Sequence, residues 1–305
     1  MSFEVIRQAM FQPAPEGTPV ADAVRLAGPA RRLRDSFEPL AMHAVWSKVV
    51  HDRLAEFGLD FFTGYVWGRA APMGNPAGAL VASAFAAFEP AVIVGRYDAA
   101  RAAVDQATVW AAVVESCGIS LREVLGDAAP EADIASAADR LGRAVESVDS
   151  AGRPLFAAVQ ATPWPADAYA RLWQATLALR EHRGDSHVAA YVAAGFDPVQ
   201  MNILTELWLH YPLGAYSGSR AWSADRTEAA LASLRSGGLL DGDSLTPAGS
   251  AARSAVEEAT DRAQDCVVNV LGDDLEPLCR QLDAWSAICV AAGAFPPDFR
   301  KRAAG

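Results

Sequence analysis

Lysine is almost missing from this chain: Lys48 and Lys301 are the only two in 305 residues, so nearly every positive charge is an arginine. Positive charge is itself scarce, with 26 Lys and Arg against 37 Asp and Glu and a formal net charge of −11. That balance argues against a general nucleic-acid binder and against an anionic membrane surface, because both partners need a positive field to displace their counterions. No apolar run reaches the ~18 residues of a transmembrane helix, and the N-terminus lacks the basic start and apolar stretch of a signal peptide. The chain therefore reads as cytoplasmic. Cysteine is limited to Cys117, Cys266, Cys279 and Cys289. They form no CxxC pair or metal-finger spacing, so they read as buried free thiols. There is no GxxxxGK[ST], no GxGxxG after a strand and no GxSxG, which removes the common phosphate loop, the dinucleotide site and the nucleophile elbow. β-branched alternation is nearly absent, which excludes a large sheet.

What is present is helical. A helix is predicted over Glu38–Phe57, with Leu40, Ala44, Val45, Val49 and Leu54 at three-to-four spacing. Further helices fit Leu59–Ala71, Pro76–Phe88, Ala99–Cys117, Glu131–Asp149 and Ala166–Arg183, the last started firmly by Pro163 and Pro165. Gly184 reads as a break, after which Asp185 caps a short helix to Ala194. From Asp197 the pattern changes. Pro198–His210 is helical, Tyr211–Gly218 is a turn-rich link, and Ser223 caps a helix through Ser236. Two short pieces, Gly238–Leu240 and Ser244–Thr246, flank Asp241-Gly242-Asp243, a strong hairpin signal. Pro247 starts a helix to about Asn269, and Leu275–Ala292 closes the chain. The order helix, helix, small hairpin, helix is that of a winged helix-turn-helix. The expected fold is all-α with a minor β-wing: a helical domain over 1–195 packed on a winged helix-turn-helix domain over 196–305 that includes the C-terminal helix.

Three stretches carry a resemblance. The first is Arg69-Ala-Ala-Pro-Met-Gly74 with the Ala- and Phe-rich helix to Phe88-Glu-Pro90. The second is Gly152-Arg-Pro-Leu-Phe-Ala157 with Pro163-Trp-Pro165 and the run from Leu172 to Val188. The third runs from Arg220-Ala-Trp-Ser223 through Leu245-Thr-Pro-Ala-Gly249 to Asp261. Over most of residues 30–292 they resemble an actinobacterial family of helix-turn-helix-like proteins, distantly similar to MarR-type regulators in the last third. The resemblance implies the fold and no particular activity.

A winged helix suggests DNA, and charge tests that. From Asp197 to Asp265 there are five arginines against ten acids, a net of −5. The helix that would enter the major groove balances Arg226 and Arg235 against Asp225 and Glu228, and the wing tip is Asp-Gly-Asp where a basic side chain would meet phosphate. DNA is therefore not the expected partner.

The densest polar run is Arg180-Glu181-His182-Arg183-Gly184-Asp185-Ser186-His187. Its structural reading is a helix corner; its functional reading makes Arg180 or Arg183 an anion clamp with His187 or His182 as proton donor, tuned by Asp185. His43, near Trp46 and Ser47, is a second candidate base or haem ligand, whereas His51 lies in an exposed-looking stretch. Arg69 sits among Tyr65, Trp67 and other aromatics, where an unpaired guanidinium is costly and needs a carboxylate or an anionic ligand. The reading is a small-molecule-binding protein, leaning to an acid–base enzyme of specialised metabolism. Its catalytic candidates are His43, His187 and Asp185, and its ligand-binding candidates are Arg69, Arg180, Arg183, Trp67, Trp173 and Tyr65, in a pocket between the two parts. No metal ligand set and no particular cofactor is indicated, and an anionic or carbonyl-bearing ligand is favoured. The alternatives are a ligand-responsive MarR-like regulator and a haem- or metal-binding protein.

Overall fold

The structure, a computed structural model, describes residues 3–19 and 28–303. Among these, helices α1 (Phe3–Met10), α2 (Pro29–Ala41), α3 (His43–Trp46), α4 (Lys48–Ala55), α5 (Phe61–Ala70), α6 (Gly78–Phe85), α7 (Pro90–Ala103), α8 (Gln106–Leu125), α9 (Glu131–Ser147), α10 (Pro154–Gln160), α11 (Ala168–Ala193), α12 (Pro198–Trp208) and α13 (Ala224–Ser236) follow one another. Strands β1 (Leu240–Asp241) and β2 (Ser244–Leu245) come next, then α14 (Pro247–Arg262), α15 (Asp265–Leu271), α16 (Leu275–Ala291) and α17 (Arg300–Ala303). The strands form an antiparallel hairpin with Leu240 opposite Leu245. The protein is thus mostly all-α with one small sheet. No helix among the described residues is long and apolar enough to cross a membrane.

Side-chain caps set many of the helix starts. Asp60, Asp105, Asp167, Ser223 and Thr246 each accept from a backbone N–H in the first turn, and Asp197 with Gln200 forms a capping box. Asp105 is the signal the periodicity overlooks: the predicted Ala99–Cys117 helix is really the end of α7 and the start of α8. The predicted Glu38–Phe57 helix is likewise divided into α2, α3 and α4. Pro39 removes one backbone donor there, and Ser47 turns extended while its hydroxyl reaches Ser120 at 2.7 Å. The predicted Pro247–Asn269 helix divides at Gln264.

Gly184 does not break the chain; α11 runs through it for 26 residues. A mid-helix glycine costs about 1 kcal/mol, and the buried Glu181, His182, Arg183, Asp185 and Ser186 around it outweigh that. Asp185 therefore caps no helix of its own. It caps α10 instead: its Oδ2 accepts from the Phe156 backbone N–H at 2.9 Å.

A large core includes Leu40, Trp67, Ile93, Leu141 and Trp173. A second core gathers Tyr191 at the end of α11 with Ile203, Leu204, Leu234, Leu240 and Val256. The last long helix, α16, returns to the large core through Leu278, Leu282 and Cys289. Cys117, Cys279 and Cys289 are buried thiols, but Cys266 is exposed. Two devices tie the hairpin-bearing part down. The Ala87 carbonyl accepts from Asn202 at 2.9 Å and from the Trp222 indole at 3.0 Å. Buried Glu206 accepts from the backbone N–H groups of Gly214, Tyr216 and Ser217 at 2.8, 2.9 and 2.8 Å, which orders the link between α12 and α13.

Candidate functional site

Helix α11 carries the site. Arg180, Arg183 and His187 recur at helical spacing on one face. Arg31, Arg34 and Glu38 recur at the same spacing on α2, and Arg253, Glu257 and Asp261 on α14. The three faces meet as a buried polar strip between the large core and the hairpin-bearing part.

At one end of the strip, Arg69 grips Glu181 bidentately, Nε to Oε1 at 2.8 Å and Nη2 to Oε2 at 2.7 Å, and lies 4.6 Å from the Phe85 ring centroid. Its Nη1 donates to the Tyr65 hydroxyl at 3.3 Å. Arg180 Nε donates to Glu38 at 3.1 Å, and its Nη1 lies 3.8 Å from Glu181. Burial alone would push Glu181 up, yet the two arginines hold it below the ordinary carboxylate range. A cavity of about 40 Å³ opens here, lined among others by Tyr65, Arg69, Trp173, Arg180 and Glu181. That is room for about one water, well short of the ~300 Å³ of a metabolite pocket.

At the other end, one carboxylate serves three guanidinium groups. Arg31 and Arg183 both contact Oε1 of Glu257, and Arg253 reaches its Oε2 at 2.7 Å. Arg183 also lies 3.0 Å from Asp261. Arg34, 2% exposed, has Asp35 at 3.1 Å from its Nε. Burial and mutual repulsion pull the guanidinium groups down, Arg31 to about 8 and Arg183 and Arg253 to about 9. His187 Nδ1 is 3.2 Å from the Thr260 hydroxyl. Burial, and then the four arginines, hold its imidazole well below the ordinary range, so it is neutral.

The remaining candidates stand apart. His43 is fully enclosed, with Ser120 Oγ 2.9 Å from Nδ1 and Cys289 Sγ 3.4 Å from Nε2. Burial lowers it to about 4, and with both nitrogens engaged it has no free position for haem iron. Trp67 is core, its indole donating to the Val104 carbonyl at 3.0 Å. Asp185 is the α10 cap. His51 is buried rather than exposed, stacked on Phe3 and Phe61. Among the described residues no cluster of His, Cys, Asp and Glu could hold a metal ion. So the cavity gathers Tyr65, Arg69, Trp173 and Arg180, the seam holds Arg183 and His187, and no histidine lines the cavity. Sequence reasoning missed Arg31, Arg34, Arg253 and Glu257. Arg31 and Arg34 fall before Glu38, where the predicted helix begins nine residues later than α2 does, and Arg253 and Glu257 entered only as charges in the balance from Asp197 to Asp265.

A profile described as a helix-turn-helix family matches residues 30–296. The chain belongs to this helix-turn-helix family. No curated protein and no solved structure matches it. The family match takes in α2, α11 and α14, and hence the whole strip. In this helix-turn-helix protein the exposed face of α13 carries Asp225, Arg226, Glu228 and Arg235, and Arg235 is spent on Asp243 of the hairpin at 2.8 Å. Asp241 and Asp243 are both exposed at the tip.

Proposed function

We propose that this protein binds a small molecule at the buried seam where the helical part meets the hairpin-bearing part, and that its helix-turn-helix serves as scaffold rather than as a DNA reader. One observation carries the reading: α2, α11 and α14 bury four arginines against one another, three of them on one shared carboxylate, Glu257. Burying cations in excess of their partners is costly, and sites of binding are where such costs are kept. We read the order α12, α13, hairpin, α14 as a winged helix of distant MarR type. The ligand side chain of this reading is Arg183 at the seam; at the other end Arg69 and Arg180 are matched to Glu181 and Glu38 around a cavity, with Tyr65 and Trp173 in its wall, that has room for about one water. Catalysis has no comparable support, since His43 is walled into the core and Asp185 is committed to a helix cap.

The rival reading is a ligand-responsive regulator, which family membership favours and the acidic hairpin opposes. Native mass spectrometry of the purified full chain, paired with a gel-shift panel, separates them. The expected result is a co-purified mass released on denaturation and no specific duplex shift, against the ~10⁻⁸ M or better of specific binders. A heparin-resistant, sequence-specific shift at nanomolar protein overturns the scaffold reading.

A further inference from the structure

We infer that the unpaired guanidinium donors of Arg31, Arg34 and Arg183 hold an oxyanionic head group, a phosphoryl or a carboxylate group, of the molecule bound at the seam. The inference rests on the seam reading above and adds the chemistry of the ligand.

The donors are unmet. Nη1 and Nη2 of Arg34, and Nε and Nη1 of both Arg31 and Arg183, are buried without a hydrogen-bond partner among the described residues. The three side chains are 2%, 2% and 5% exposed, so they lie out of contact with bulk solvent. Even with Arg31 lowered to about 8 and Arg183 to about 9, the guanidinium form predominates near neutral pH, so their unmet N–H groups persist as donors. Charge points the same way. Among the described residues, Arg31, Arg34, Arg183 and Arg253 face Glu257, Asp261 and Asp35, which leaves a cation over.

Arg253 shows what a satisfied member of the cluster looks like. Its Nε donates to Thr205 at 3.0 Å, its Nη1 to Glu257 at 2.7 Å, and its face lies 4.4 Å from the Trp208 centroid. Among the described residues nothing comparable holds Arg34, which has only Asp35 at 3.1 Å from its Nε. Arg34 alone keeps a two-donor edge, Nη1 with Nη2, while Arg31 and Arg183, whose Nη2 groups meet Glu257, each add the single donors Nε and Nη1; the three come from two helices and crowd one another, Arg34 lowering the affinity of both Arg31 and Arg183 for their protons. Planar forks matched to paired oxygens recognise carboxylate and phosphoryl groups in preference to neutral carbonyls. Neutral His187 beside them adds no competing positive charge.

The test uses the full chain, dialysed into chloride buffer and titrated separately with inorganic phosphate and with acetate, followed by calorimetry and by the melting midpoint. At least one ion is expected to bind saturably, one per chain, and to raise the midpoint beyond matched chloride. Phosphate alone would assign a phosphoryl group, and acetate a carboxylate. Arg34→Met should weaken that binding by about tenfold or more, as loss of a bidentate charged contact does, while surface Arg96→Met leaves it unchanged. Arg34→Lys, which keeps the charge but loses the fork, should weaken it as well and serves if the methionine variant folds poorly. Saturable binding by neither ion, or wild-type binding by both Arg34 variants, overturns the inference. A neutral co-purified molecule together with that outcome would leave the seam reading standing.

Discussion

Asp185 offers the sharpest test of the buried strip. Its carboxyl group is 4% exposed, and burial, with Glu181 nearby, raises it from 3.8 to about 7, against the opposing pull of the Phe156 N–H. The folded pKa lies above the unfolded one, so this group's contribution is fully present at low pH and is lost as pH rises toward 7. At about 1.4 kcal/mol per unit, the whole rise corresponds to about 4 kcal/mol. About 2 kcal/mol of that falls between pH 5.5 and pH 8 by the same relation. Asp185→Asn cannot ionise but keeps an acceptor for Phe156. Urea unfolding followed by tryptophan fluorescence should show wild type losing about 2 kcal/mol relative to Asp185→Asn across that window. Asp185→Ala leaves the Phe156 N–H unpaired and should be less stable than Asp185→Asn at every pH, by about 1–3 kcal/mol. A pH-independent difference between wild type and Asp185→Asn would refute the reasoning, because the carboxylate would then be ionised in the fold and held by the helix end alone.

Three further outcomes follow from the geometry. Arg69→Met strands buried Glu181 with only Arg180 nearby and should cost about 3–5 kcal/mol, whereas Arg69→Met with Glu181→Leu should recover most of it in a double-mutant cycle of urea melts. His43, lowered to about 4 by burial, stays neutral in the fold. Its imidazole resonance should therefore not titrate between about pH 5 and 8, and its contribution to stability, present above the unfolded value of about 6.5, should decline as pH falls toward 4. A Cβ on Gly249 would sit 2.1 Å from the Leu239 carbonyl oxygen. Gly249→Ala should therefore lower stability by about 1–3 kcal/mol by prising the start of α14 from the hairpin, and an unchanged melting midpoint would show that contact to be slack.

Much of the architecture was legible one residue at a time. The cap at Ser223, the Asp-Gly hairpin and the helix starts at Pro198 and Pro247 are local signals, and local signals survive into the fold because they act within a single turn of chain. Gly184 shows their limit. Glycine followed by aspartate reads as an end and a new beginning, yet packing on both sides of α11 outweighed a modest propensity cost, and Asp185 was free to cap a helix that starts some thirty residues earlier in the chain. The arginines show the same limit in charge. Arg69 needed a carboxylate, as its aromatic surroundings demanded, but only the tertiary structure could choose Glu181, across 112 residues. The seam was invisible for a further reason. Arg183 stood out within its own polar run, but Arg31 and Arg34 on α2 and Arg253 on α14 carry no local mark, and burial is a property of three helices meeting. The sequence by itself determined the helices, their caps and the acidic balance, because those follow from short-range chemistry and composition. Which charges lost their water, and which were left without a partner, was decided only by the packing, because desolvation depends on everything within a few ångströms in space and on nothing within a few residues along the chain.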